Sequence, residues 1–173
     1  MLFAQPGNQA GLRKSAQPLT FTLVSPAMEK ILYRGVNKKL DEHNGGKLLP
    51  KDIGKPFKSY ANYGEVEYND GSVYGESEAN SVVMHQKDSS KYPTSGISTT
   101  PIIENAKSYA KHGGQNGYIY KIDTSLLESH AVTYFPVSKY ATQPKIPGDQ
   151  EIILVAKDNG ALPIEIIIEK IEV

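Results

Sequence analysis

From about residue 29 onward, short apolar runs alternate with glycine- and proline-marked turns, a pattern that predicts strands more often than helices. Lys30-Ile31-Leu32-Tyr33-Arg34-Gly35-Val36 reads as a short strand, followed by a loop punctuated by Gly45-Gly46 and Pro50. Val66-Glu67-Tyr68 and Ser72-Val73-Tyr74 flank Asn69-Asp70-Gly71 and predict a hairpin, because Asp-Gly supplies the positive φ values of a tight turn. Ala79, Val82 and Val83 are spaced for a short helix ending near His85. A clearer helix follows, with Thr100 as N-cap, Pro101 at its first position and an apolar face of Ile102, Ile103, Ala106, Tyr109 and Ala110, closed by Gly113-Gly114. Strands are predicted at Gly117–Asp123, Ala131–Phe135, Glu151–Ala156 and Ile164–Ile168. The unbroken apolar runs 152–156 and 166–168 suggest central strands buried on both faces. Short strands with two helices predict an α+β fold. Residues 1–28 show no sustained apolar period and are rich in Gln, Pro, Gly, Ser and Ala, so they are expected to be a flexible linker ahead of a domain over 29–173.

Composition adds exclusions. At 173 residues, burial of roughly 70% of the unfolded surface is attainable, enough for one core without covalent staples. The absence of cysteine removes disulfides, thiolate metal sites and a cysteine nucleophile. No apolar run is long enough to span a membrane, and Met1–Gly7 lacks the apolar stretch of a signal peptide, so export by another route or on a larger carrier is expected. The zero formal net charge argues against strong general binding to nucleic acid. Charge is unevenly placed, however. Residues 1–60 carry ten Lys/Arg and four Asp/Glu, a balance of +6, whereas 61–173 carry nine and fifteen, a balance of −6. A basic rim near a phosphate-bearing ligand and two chance surfaces explain that split about equally well.

Four histidines at 43, 85, 112 and 130 lack metal-ligand spacing, so no protein metal site is expected. No GxSxG elbow supports a serine hydrolase. Arg34 interrupts an apolar strand, where a guanidinium suits bidentate binding of phosphate or carboxylate, although a surface-paired edge arginine is the commoner case. Ser98 and Thr100 join a strand end to a helix start, where hydroxyls ordinarily cap and can also hold a neighbouring carboxylate. Asp149 and Glu151 are two apart at a strand start, so strand alternation would point both to one side, with Gln150 opposite. Two carboxylates beside an apolar strand suit a developing positive charge; a solvated loop edge is the ordinary alternative.

Taken in order, Leu32-Tyr33-Arg34-Gly35, Ser98-Thr99-Thr100 and Gln150-Glu151 resemble the R-S-E group of mono-ADP-ribosyltransferase toxins, which includes the cholera toxin A subunit. Leu40-Asp41-Glu42 with Gly45–Pro50, the Ala106 helix, the Tyr118-Ile119-Tyr120 strand and the Pro147–Pro163 run match that group in order, so the resemblance covers roughly 29–173.

The resemblance implies two roughly perpendicular, mainly antiparallel sheets around a cleft for NAD⁺, which serves as substrate without a metal. It implies that Arg34 anchors the phosphates, that the Gly35 backbone holds the nicotinamide amide, and that Ser98 orients Glu151 against the nicotinamide ribose. Thr99, Thr100 and His85 would line the same site. In that group the position of Asp149 is usually Glu or Gln, so the acceptor residue stays open. A linker-led, cysteine-free domain resembles the C-terminal payload of Tc or Rhs toxins, which implies a bacterial product delivered to a target-cell cytosol. Actin or a Rho-type GTPase is then the favoured target, and a nucleic acid a less favoured one. An NAD⁺ glycohydrolase with water as acceptor, and a binding module that has lost turnover, share the same pocket.

Overall fold

The computed structural model of the chain describes residues 27–61 and 69–173. Nearly all of the expected linker, and the first arm of the expected hairpin at Val66–Tyr68, lie outside the described residues. In chain order the elements are β1 (Ile31–Asn37), α1 (Lys38–His43), β2 (Ser59–Tyr60), β3 (Glu76–Ser77), α2 (Glu78–Asp88), β4 (Ile97–Thr99), α3 (Ile103–Ala110), β5 (Gly117–Asp123), β6 (Val132–Pro136), β7 (Ile152–Ala156) and β8 (Ile167–Glu172). The fold is α+β, with antiparallel sheets and few helices, consistent with the ADP-ribosyltransferase fold.

Two three-stranded sheets, ordered β1-β5-β8 and β4-β7-β6, face each other across the main core, where Leu32, Ile122, Leu154 and Ile166 are sealed from solvent. Strand alternation divides β7 between two layers. Ile152, Leu154 and Ala156 enter that core, while Ile153 and Val155 meet Val82 and Val83 of α2 on the opposite face. Burial on both sides accounts for its unbroken apolar run. The outer face of the first sheet is covered by α3, through Ala106 and Ala110 against Ile119. A Cβ at Gly35 would lie 1.8 Å from the Ala106 carbonyl oxygen, and one at Gly117 would lie 2.2 Å from that of Ala110. Only residues without a side chain let the helix lie this close to β1 and β5.

Among the described residues one isolated bridge links the main chains of the two sheets, where Tyr33 and Thr100 exchange hydrogen bonds of 2.8 and 3.0 Å. Arg34 on β1 and Ser98 on β4 therefore stand next to the junction, beside the cleft described below. Among the described residues no helix is long and apolar enough to cross a membrane.

Several local expectations are corrected. A helix forms at Lys38–His43, inside a stretch read as loop, because Asn37 accepts the Leu40 N–H at its start. The helix carrying His85 runs to Asp88, so His85 lies within it rather than at its end. Thr100 is not the N-cap of α3. Pro101 keeps it extended and it bridges Tyr33, so the helix starts at Ile103, with Ile102 at the cap position. The second arm of the expected hairpin, 72–74, is not a strand, and β3 pairs with β2 instead. At the C-terminus, Pro163 leads into a 3-10 turn at Ile164–Ile166, and β8 starts only at Ile167. It is an edge strand with half-exposed Ile168, not the central strand that the isoleucine run suggested.

Candidate active site

A cleft of about 640 Å³ opens beside the junction of the two sheets, a volume suited to a small-molecule ligand. Arg34, Gly35, His85, Ser98, Thr99, Thr100, Asp149 and Glu151 all line it. Residues up to 117 positions apart in the chain, Arg34 to Glu151, are thus brought to one place.

Arg34 projects from β1 and donates from Nη1 to the Ser98 carbonyl oxygen at 3.1 Å. Burial lowers its pKa, and the charge of Glu151 pushes the other way. The delocalised guanidinium makes Arg34 the fixed cation of the site. Gly35 is the next residue on β1. Backbone groups of alternate residues in an antiparallel strand point to the same edge. The Tyr33 N–H and C=O meet Thr100 across the edge opposite β5, so those of Gly35 face that edge as well, toward the cleft.

Glu151 stands one residue ahead of β7, half-buried. Its pKa is raised by burial; the Ser98 hydroxyl and the Arg34 charge oppose that, and Asp149 adds to it. Asp149 reaches the cleft by a different route from the one strand alternation predicts. Pro147–Asp149 forms a 3-10 turn, and Gln150 then adopts φ 48°, ψ 46°, so the chain is not extended between the two carboxylates. Asp149 is also tied to α3. Asn105 Nδ2 donates to its Oδ1 at 3.1 Å, and the Tyr109 hydroxyl donates to its Oδ2. That bond, after burial, raises the Tyr109 pKa to about 12, so the phenol keeps its proton.

His85 is buried in α2 with both ring nitrogens engaged. Nδ1 lies 2.6 Å from Thr94 Oγ1 and Nε2 lies 2.8 Å from Ser98 Oγ. Burial first, then the Arg34 and Lys51 charges, hold its pKa down to about 4. The imidazole is therefore neutral near pH 7, and its 4.0 Å approach to Glu151 is not an ion pair.

The remaining hydroxyls hold the framework. Thr99 Oγ1 donates to the Ile152 carbonyl at 2.7 Å and pins β4 to β7. Thr100 Oγ1 donates to the Asp149 carbonyl at 2.6 Å and accepts the Ile102 N–H at 3.0 Å. Lys51 also lines the cleft, held by Ser89 and Ser90 at 2.8 and 3.1 Å, with its pKa lowered by burial and by Arg34. Lys87 and Lys145 line it as well, and four cations around one cleft suit an anionic ligand. Sequence reading missed Thr94, Asn105, Tyr109 and Lys51. Only Tyr109 gave a signal, as the one polar-tipped member of the α3 face. Among the described residues no group of three metal-ligating side chains is found.

Comparison with known proteins agrees with this architecture. A family model described as NarE matches residues 31–154, from the first residue of β1 into β7. No curated protein matches the chain.

Proposed function

The chain belongs to the NarE family, an ADP-ribosyltransferase-like family, and we propose that it is a mono-ADP-ribosyltransferase acting from NAD⁺ on a side chain of a host cytosolic protein. The observation that carries the reading is the meeting of Arg34, Ser98, His85 and Glu151 in a single cleft at the sheet junction.

In this reading Arg34, supported by Lys51, binds the diphosphate of NAD⁺. The Gly35 backbone groups hold the nicotinamide amide. The bond between nicotinamide and the ribose anomeric carbon breaks, its electron pair leaves with nicotinamide, and positive charge develops on the sugar. Glu151 faces that charge as a carboxylate in a site shielded from water, where preorganised electrostatics are strongest. An acceptor side chain then attacks the anomeric carbon and loses its proton. Actin and Rho-type GTPases are the favoured targets, and delivery as part of a larger bacterial toxin fits a protein that works in another cell's cytosol.

A second reading keeps the same cleavage with water as acceptor. It is favoured by the Asp149 carboxylate, each oxygen of which already accepts one hydrogen bond from α3, which leaves it fewer lone pairs with which to guide a side chain.

Purified chain should release nicotinamide from NAD⁺. Glu151→Gln should slow that release by on the order of 10²–10³, as for removal of other preorganised charge-stabilising groups. Biotin-labelled NAD⁺ added to a eukaryotic lysate separates the two readings. Label on a protein supports transfer, and nicotinamide release without label supports hydrolysis. Release by Glu151→Gln at the unaltered rate would sink both.

A further inference from the structure

We propose that Thr94 is a positioning residue of this cleft: its hydroxyl fixes the tautomer of His85, so that the imidazole Nε2–H points at Ser98 and the Ser98 proton is left for Glu151. The proposal rests on the functional reading of Glu151 above, and its structural half can be tested without any turnover.

The direction of each proton follows from one donor that has no choice and from the need of a buried hydroxyl proton for an acceptor, which accepting from both neighbours would leave unmet. The Gly96 backbone N–H can only donate, and it lies 3.1 Å from Thr94 Oγ1. The hydroxyl accepts there, and its own proton is free to go to His85 Nδ1, 2.6 Å away. A neutral imidazole carries one N–H, so a Nδ1 that accepts leaves the proton on Nε2. Nε2 then donates to Ser98 Oγ at 2.8 Å. Ser98, accepting from His85, is left to turn its proton toward the Glu151 carboxylate, whose Oε1 stands 4.0 Å from the same Nε2. The reverse tautomer would draw the Ser98 proton back to Nε2 and leave Glu151 without it.

Three features keep the chain of donors in this order. Thr94 and His85 are both about 5% exposed, so solvent competes little for their polar atoms. Arg34 from β1 and Lys51 from the loop after α1 disfavour a doubly protonated ring, while Glu151 stands 4.0 Å from Nε2 on the remaining side. Gly96 packs too closely against the core to carry a side chain, since a Cβ there would come within 2.5 Å of Ile153 and 2.8 Å of Phe57. The backbone that orients Thr94 is thereby set against the core between β7 and the loop before β2.

The test combines ring-nitrogen NMR of His85 in the full chain with steady-state nicotinamide release. The wild-type spectrum should show a protonated Nε2 and an unprotonated Nδ1 at pH 7, and the opposite tautomer overturns the proposal whatever the activity. Thr94→Val should lower kcat about 10-fold with KM for NAD⁺ nearly unchanged, because a hydrogen bond that orders Glu151 acts on the reacting charge and not on NAD⁺ binding. Thr94→Ser keeps the hydroxyl and should restore kcat. A fully active Thr94→Val, or a Thr94→Ser as slow as Thr94→Val, also overturns it. If the wild-type chain releases no nicotinamide, the enzymatic reading falls and the His85 spectrum alone decides the role of Thr94.

Discussion

Arg34 illustrates what a single residue discloses. A guanidinium inside Ile31-Leu32-Tyr33 is costly unless it is used, and here it bonds the Ser98 carbonyl while its charge faces Glu151 and the cleft. Lysine would keep the charge and lose the planar fork. One ammonium cannot hold the Ser98 carbonyl in the same geometry and also present parallel donors to a diphosphate. Arg34→Lys should therefore bind NAD⁺ about 10-fold more weakly or worse by calorimetry, with an unchanged thermal melt. Equal affinity in the two proteins would remove Arg34 from the ligand site. Glu151 stood out for a similar reason, as a carboxylate at the start of an apolar strand, whereas the hydroxyl of Ser98 reads as an ordinary cap until the resemblance gives it a role. Thr94 was not legible, because nothing in Pro93-Thr94-Ser95-Gly96 tells a hydroxyl beneath a histidine from one in an ordinary turn. His85 was legible as a pocket residue only through resemblance, and its neutrality depends on burial and on two cations from other elements.

At the scale of elements, the strands with unambiguous patterns emerged where expected. β5 spans Gly117–Asp123, where buried Ile119 and Ile122 are interleaved with half-buried Tyr118 and Lys121, and β7 covers Ile152–Ala156, where burial on both faces leaves an unbroken apolar run. The failures share a cause, in that a neighbour in space outweighed the local pattern. Ile164 is 76% exposed because Pro163 and the burial of Ile166 turn the chain before pairing begins. Strand alternation was extended back from Glu151 to Asp149, yet that segment is shaped by α3 and by Thr100: Asn105 bonds the Gly148 carbonyl at 3.1 Å and Thr100 bonds the Asp149 carbonyl. Those two backbone contacts survive removal of the Asp149 side chain, so Asp149→Ala should keep the loop in place and leave Glu151 oriented. Slow NAD⁺ hydrolysis should then be spared while transfer to protein drops, because water needs less guidance than an acceptor side chain. Both activities can be read from one preparation, and an equal fall in the two would end this division of labour between the carboxylates.

For the molecule as a whole, the cleft depends on two sheets linked at the Tyr33–Thr100 bridge, and the first of those sheets is braced from the far end of the chain. Asp41 of α1 is buried, accepts from the Tyr120 hydroxyl on β5, and pairs with Lys170 Nζ on β8 at 2.7 Å. Lys170 also lies over the Tyr118 and Tyr120 rings, with centroids at 4.1 and 5.0 Å, an arrangement favourable for a cation. This brace ties the segment after β1 to the last strand, and Asp41, Tyr120 and Lys170 are not among the residues lining the cleft. Removing one member of a sealed ion pair is severe, but here the losses are softened. The Lys170 side chain is 36% exposed and can hydrate, and Tyr120 still reaches the Gly46 carbonyl at 3.1 Å. Asp41→Ala should therefore cost about 1–2 kcal/mol of unfolding free energy, seen as a lower urea midpoint with an unchanged slope. Nicotinamide release per folded molecule should stay at the wild-type rate well below the melting temperature, since no brace side chain lines the cleft and Arg34 meets the brace only as the cross-strand partner of Tyr120. A loss of rate in protein still fully folded would mean that the brace sets the geometry of β1 at the cleft, and that stability and activity in this fold cannot be separated by distance.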